Sequence, residues 1–218
     1  MAERVLRADS GRDDFVALRL AADFVRPVPV DELDVRVEVL RTARSAALVA
    51  VRIASGGRDR LLARVWFVRT ADTAHLARAL DPPAPVPAAR TQLDHDFGYG
   101  ASLDWRFVHG RMGEPGPGAA WVRPTMPLFD EQPATGLAQV ALIADSASGI
   151  SSELDWASWS FLNVDLDIHL ARPMRGEWLF MEATTQLGEA GSALARSTLS
   201  DTAGPLGSGL QTLVVSPR

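Results

Sequence analysis

Cysteine is absent from the 218 residues, and with it go disulfides, zinc–thiolate sites and thiol nucleophiles. Lysine is absent too, so no Schiff-base mechanism is open to the chain. The wealth of alanine and arginine in its place reads as genomic base composition. No stretch of roughly 18 apolar residues exists, so no helix is expected to span a membrane. The opening MAERVLRADSGRDDF lacks the apolar run of a signal peptide, and a cytoplasmic protein is expected. A formal net charge of −5 argues against a nucleic-acid surface, which needs clustered positive charge. What is present is ordinary for a globular protein: 47% hydrophobic and 22% charged residues, enough for one large domain or two of about 100 residues each.

The second half repeats the plan of the first. Residues 23–68 begin DFVRPVPVDELDVRVEVL and continue SAALVAVRIASGGRDRLLARVWFV. Residues 169–215 begin HLARPMRGEWLFMEATTQ and continue GSALARSTLSDTAGPLGSGLQTLVV. Setting Arg26-Pro27 on Arg172-Pro173 gives an offset of 146, and Ala47-Leu48 then falls on Ala193-Leu194 without a gap. A repeat of this kind means two copies of one β-rich unit, and differences between the copies mark where chemistry can sit.

Residues 14–25, 33–41, 46–54 and 60–69 alternate as strands do. In LDVRVEVL, for instance, Leu33, Val35, Val37 and Val39 share a face opposite Asp34, Arg36 and Glu38. Gly56-Gly57 signals a hairpin. A short helical piece around Thr73–Leu80 precedes the Pro-rich DPPAPVPAAR, which sets the expected boundaries: a first unit over 1–80, a linker over 81–101 and a second unit over 102–218. Strands are expected over Leu103–Val108 and Ala119–Val122. Glu131–Gly136 then leads into a buried helix at Leu137–Ala144, with Gly149 as its left-handed cap. Four strands follow at about 157–171, 177–187, 192–201 and 207–215. The class is α+β, antiparallel throughout, a sheet curled around a helix. The first copy opens with only enough residues for the last turns of such a helix, so an N-terminally truncated first unit is expected.

Asn163, Asp165, Asp167 and His169 alternate with Val164, Leu166, Ile168 and Leu170. Period two puts all four polar groups on one sheet face. Read by itself this is a half-exposed strand. Metal ligation fits poorly, because residues two apart on a strand lie roughly 6.5–7 Å from each other, and no metal or other cofactor is expected.

The segment from Pro127 to Trp178 resembles the actinobacterial branch of the TesB-like acyl-CoA thioesterases. The resemblance is carried by the turn Asp145–Gly149, the strand Phe161–Leu166, Arg172-Pro173, Gly176–Trp178 and the ending Gly209–Leu213. DFVRPVPVDELDVRVEVLR resembles the first unit of the same family. The resemblance runs from about residue 14 to the end, with its motifs in order. Two features depart from it: the His-Gly-Gly segment that heads the first central helix has no counterpart, and Ser148 stands where Asn is usual.

What the resemblance implies is a double hot-dog fold, with the first unit lacking its N-terminal strand and most of its helix. It also implies hydrolysis of acyl-CoA by water held between an Asp aligned with Asp165, a Gln aligned with Gln211, and a Thr. For the last, Thr185 is chosen and Gln186 is the adjacent alternative. At the repeat offset Asp165 corresponds to Arg19, and Gln211 to Arg64 or Val65. One active site per chain, on the second copy, is therefore expected. An acyl-CoA substrate and a homo-oligomeric functional unit are expected. Two competing readings are a non-catalytic acyl- or CoA-binding module and a hot-dog hydratase or dehydratase. The latter needs a His–carboxylate pair, for which His169 with Asp167 is the candidate. Trp105, Trp121, Trp156, Trp159 and Trp178 are expected to fill cores or contacts. His75, His95 and His109 are expected to be solvated, His109 being the one worth testing as a base. Arg106, Arg123 and Arg172 are expected in salt bridges ahead of contacts to coenzyme A phosphates.

Overall fold

The structure, a computed structural model, describes residues 1–11, 13–78, 80–93, 98–127 and 136–218. Two sequence expectations, His95 and the lead-in over 131–135, fall outside these residues. Alternating apolar residues generate eleven strands. They are β1 (Phe15–Phe24), β2 (Asp34–Thr42), β3 (Ala46–Ser55), β4 (Arg58–Arg69), β5 (Leu103–His109), β6 (Gly118–Pro124), β7 (Trp159–Asn163), β8 (Asp165–Leu170), β9 (Leu179–Leu187), β10 (Ser192–Asp201) and β11 (Gly204–Pro217). All belong to one antiparallel sheet in the order β2-β3-β4-β1-β8-β11-β10-β9-β6-β5, with β7 paired to β11. Gly56 and Gly57 take φ of 57° and 73°, as a tight hairpin between β3 and β4 demands.

The repeat is written into this order. An offset of 146 carries β3 onto β10 end to end and the start of β4 onto the start of β11. The two copies meet where β1 pairs with β8. There Ala21 faces Asp167, its own counterpart, while Arg19 faces His169 and Asp23 faces Asp165. A pseudo-twofold axis therefore passes between Ala21 and Asp167. The same register settles the partner of Gln211. Ala195 pairs with Gln211 as Val49 pairs with Val65, so the counterpart is Val65.

One face of the sheet is apolar and carries the helices. In the first copy α1 (Ala2–Ser10) inserts Leu6 against Ala47, Val49, Val65 and Phe67. In the second, α3 (Gly136–Ala144) packs Val140 and Ile143 among Trp105, Ile168, Leu179 and Met181. Four-residue helices α2 (Gly98–Ala101) and α4 (Ala147–Ile150) flank α3. No helix among the described residues is long and apolar enough to cross a membrane.

Two local expectations are corrected. Gly149 is not a left-handed cap, since it lies inside α4 and is not among the glycines with positive φ. Backbone N–H groups of Gly113 and Gly116 bind the carbonyls of Gly149 and Ser152, so the chain needs no reversal to satisfy them. The expected strand over 157–171 is broken at Val164. Asn163 pairs with Leu213, but Asp167 pairs with Leu210. One residue is thus extra on this strand: a β-bulge. The first copy has its own bulge at the equivalent position, Leu18, where the β1–β4 register shifts between Ala17 and Arg19.

Candidate active site

The bulge decides which polar side chains meet. With Val164 extra, Asn163 turns to the helix-bearing face, beside the buried Leu213, while Asp165, Asp167 and His169 keep to the other face. The expected single polar face is therefore corrected. Gln211 and Thr185 also lie on the helix-bearing face, in one row: Thr185 pairs with Ala195 and Ala195 with Gln211. The structure brings Thr185 and Gln211 onto one face beneath α4 and leaves Asp165 on the opposite face. There Asp165 accepts the backbone N–H of Thr212 at 2.5 Å and its hydroxyl at 3.4 Å.

The carboxylate that does meet Gln211 is Asp145, at the end of α3. Gln211 is fully buried. Its Nε2 donates to the Asp145 carbonyl at 3.0 Å and to Asp145 Oδ1 at 3.3 Å, and its Oε1 accepts the Ser148 N–H at 3.2 Å. Asn163 Nδ2 donates to the same Oδ1 at 2.7 Å. Burial pushes the Asp145 carboxyl above its ordinary range, and the amides of Asn163 and Gln211 offset this only in part. A raised carboxylate pKa in a cleft makes the group a candidate for function.

Thr185 acts at the other end of α4. Ser151 spends its one hydroxyl proton on the Ala147 carbonyl at 2.8 Å, so the 2.8 Å contact between Ser151 Oγ and Thr185 Oγ1 is donated by Thr185. Thr185 thereby ties α4 to β9. Gln186 points away, toward Arg196 at 3.3 Å on the opposite face.

Asp145 borders a cavity of about 280 Å³ walled by Tyr99, Met112, Ser146, Ser148, Gly149 and Trp156. Its walls are mostly apolar with a few polar groups, the usual make-up of a small-molecule site. Tyr99 donates to the Leu142 carbonyl at 2.7 Å and meets Ser146 Oγ at 2.5 Å. Burial raises the pKa of its phenol as well. A larger concavity of about 890 Å³ lies against the first copy and is lined by Arg19, Asp23, Arg36, Glu38, Arg52 and Arg64, among others. Its volume is greater, but its charged side chains are exposed or half-exposed, and none is held as Asp145 is by two buried or half-buried side-chain amides. Sequence reasoning passed over Asp145, Asn163 and Tyr99 as site residues, although Asp145 and Asn163 both stand in the motifs singled out there.

Other candidates are spent elsewhere. His109 lies 3.6 Å from Glu182 at the surface. Asp167, the proposed partner of His169, is 3.4 Å from Arg19, outside the cavity. Arg106 and Arg123 both reach Asp104 and both stack on Trp178, at 4.6 and 4.7 Å. Arg172 clasps the fully buried Asp201 with two bonds of 2.7 Å. Trp105 and Trp121 are buried in cores. Among the described residues no group of three or more metal-ligating side chains is assembled.

Three polar members of the site have apolar counterparts at the offset of 146. Asn163 answers to Ala17, Thr185 to Val39 and Gln211 to Val65, all of them in the first copy's core.

Solved structures share this architecture. A putative thioesterase II from Thermobifida fusca superposes with a TM-score of 0.75 at 22% identity, covering 99% of this chain and 83% of that one. A conserved hot-dog protein of Alicyclobacillus acidocaldarius gives 0.74 at 16%, covering 100% and 85%. The acyl-CoA thioesterase II TesB2 of Mycobacterium marinum gives 0.71 at 17%, covering 99% and 86%. These likenesses establish the hot-dog fold. No curated protein matches the chain. Two family models do: the acyl-CoA thioesterase N-terminal domain over residues 1–68 and the C-terminal domain over residues 78–215. With matched segments covering both copies of the repeat, the chain belongs to the acyl-CoA thioesterase family and is a thioester hydrolase.

Proposed function

We propose that the protein hydrolyses acyl-CoA to free fatty acid and CoA, and that Asp145 activates the attacking water. The observation carrying this reading is the Asp145 carboxylate on the cavity wall, its pKa raised and its Oδ1 held from behind by Gln211 and Asn163. Water adds its oxygen to the thioester carbonyl carbon as Asp145 takes a proton. The tetrahedral oxyanion then collapses, the carbon–sulfur bond breaks, and the proton passes from Asp145 to the departing thiolate. A carboxylate with raised pKa is a stronger base than a solvated one. Gln211 has both amide hydrogens and its oxygen committed within the protein, so it positions Asp145 and does not bind water. Asn163 donates one N–H to Asp145, and the second is available to the water. Thr185 holds α4 in place. The functional unit in this reading is a homo-oligomer.

Asp165 is the competing base, favoured by its half-buried carboxylate and by its place in the motif. The test is thiol release from acyl-CoA by Asp145→Asn and Asp165→Asn. The expected outcome is a loss of about 10²–10⁴-fold in kcat for Asp145→Asn, the usual contribution of a general base, and a change of a few fold at most for Asp165→Asn. The reverse pattern moves the chemistry to the other sheet face. Hydrolysis of none of the substrates by the unsubstituted protein, with binding retained in calorimetry, returns the protein to the class of non-catalytic acyl-CoA binders.

A further inference from the structure

We infer that the hollow on the first copy, on the sheet face away from the helices, binds a nucleoside diphosphate. Its volume of about 890 Å³ falls within the usual range of small-molecule sites. The hollow exists because Ala50 and Ala21 are small. In one row across the strands Ala50 stands between Glu38 and Arg64, and Ala21 between Arg64 and Asp167. Long charged side chains therefore rise around two methyl groups. This floor lies on β3 and β1, each of which has a paired strand on both sides.

Arg36 pairs directly with Arg52, and Arg64 stands diagonally from Arg52 on the next strand. Side chains so placed are about 4.5–5.5 Å and about 7–8 Å apart at Cβ, and like charges directly opposite destabilise a sheet. Asp59 offsets Arg52, and Asp167 lies 3.4 Å from Arg19. Arg36 and Arg64 have no ion-pair or hydrogen-bond partner among the described residues, and neither do Glu38 and Asp23 on the same rim. An anion relieves the arginines, and their planar forks match phosphate oxygens two at a time. The two carboxylates repel a bare polyanion, yet they accept hydrogen bonds from ribose hydroxyls or a base amino group. A nucleoside diphosphate meets both signs at once, with the alanine floor and Leu62 as an apolar surface for its base.

The duplication sharpens the case. At the offset of 146, Arg36, Arg52 and Arg64 become Glu182, Thr198 and Leu210, while the floor residue Ala50 becomes Arg196. The second copy thus lacks these cations and places a long side chain on the floor.

The test is isothermal calorimetry of the full chain with ADP and with inorganic pyrophosphate. ADP is expected to bind, and Arg36→Ala and Arg64→Ala are each expected to weaken it at least tenfold. Both side chains are exposed, so circular dichroism is expected to be unchanged. Arg196→Ala, in the second copy, is expected to leave ADP binding as it is. So is Asp145→Asn, which keeps this inference separate from the proposed chemistry. Glu38→Ala is expected to weaken ADP several fold while tightening pyrophosphate, because it removes both an acceptor and a repulsion. Titration with CoA identifies the source of the diphosphate: displacement of ADP supports CoA itself, and ADP retained under saturating CoA supports a separate nucleotide. Absence of ADP binding overturns the inference, as does binding indifferent to Arg36→Ala and Arg64→Ala. Tightening of both probes by Glu38→Ala also overturns it, since a surface that merely attracts anions behaves in that way.

Discussion

In the proposed reading Asp145 is useful because its surroundings disfavour the carboxylate ion. Burial is the main cause of its raised pKa, so the charged form is the one the folded protein disfavours. For a carboxyl raised in this way the sign is definite. Folding is most favoured below the unfolded value, near 3.8, where the group is protonated in both states. That advantage is lost as pH rises through the folded value. Asp145→Asn removes the charge but keeps an acceptor for Asn163 and Gln211. At pH 7 the variant is expected to melt higher than the parent, with the gap closing below about pH 4; calorimetry at the two pH values checks this. Gln211→Val imports the residue of the first copy. It leaves the Ser148 N–H without its acceptor, at a cost of roughly 1–3 kcal/mol, and frees the Asp145 carboxylate to move. Its kcat for acyl-CoA is expected to fall at least tenfold while the fold persists.

At the scale of elements, α4 is the clamp that holds the site together. It supplies Ser148 to Gln211 and Ser151 to Thr185, and it sits where it does because Gly118 of β6 has no side chain. A Cβ there would lie 2.0 Å from the Ile150 carbonyl oxygen, so Gly118→Ala must push α4 off the sheet. A loss of roughly 1–3 kcal/mol is expected, as for other overpacked sites. Gly149 gives the contrast: its nearest atom to an added Cβ is Met112 Cε at 3.9 Å. Gly149→Ala is expected to be neutral or to stabilise by up to about 1 kcal/mol through helix propensity. Urea melts of the two variants separate the cases. The strands themselves were legible from alternation, and Arg26-Pro27 with Arg172-Pro173 revealed the duplication. The bulge at Val164 was not, because valine suits a bulge and a regular strand alike. Without it Asn163 and Asp165 cannot be assigned to different faces. The course of Asp145–Ser151 was hidden for a related reason. DSASG reads as a cap, and only the distant Gly113 and Gly116 amides make a second helical turn the better solution.

On the scale of the whole molecule, duplication has separated stability from chemistry. The row Val39–Val49–Val65 under α1 is apolar core, while the equivalent Thr185–Ala195–Gln211 under α4 belongs to the candidate site. Both rows belong to one sheet, because β1 and β8 join the copies through five consecutive residue pairs. Damage to the first copy therefore has to reach the second. Phe67, 1% exposed, tests this, since truncating a buried phenylalanine costs about 3–5 kcal/mol. Five of the six tryptophans, all but Trp66, lie in the second copy, from residue 102 on, so their fluorescence reports chiefly on the copy that the substitution does not touch. If the sheet unfolds as one unit, Phe67→Ala shifts the fluorescence transition in urea together with the circular dichroism transition, and both remain single and coincident. A fluorescence midpoint that stays at the parent value, while the dichroism curve splits in two, would mean that the copies are stable independently despite the β1–β8 seam.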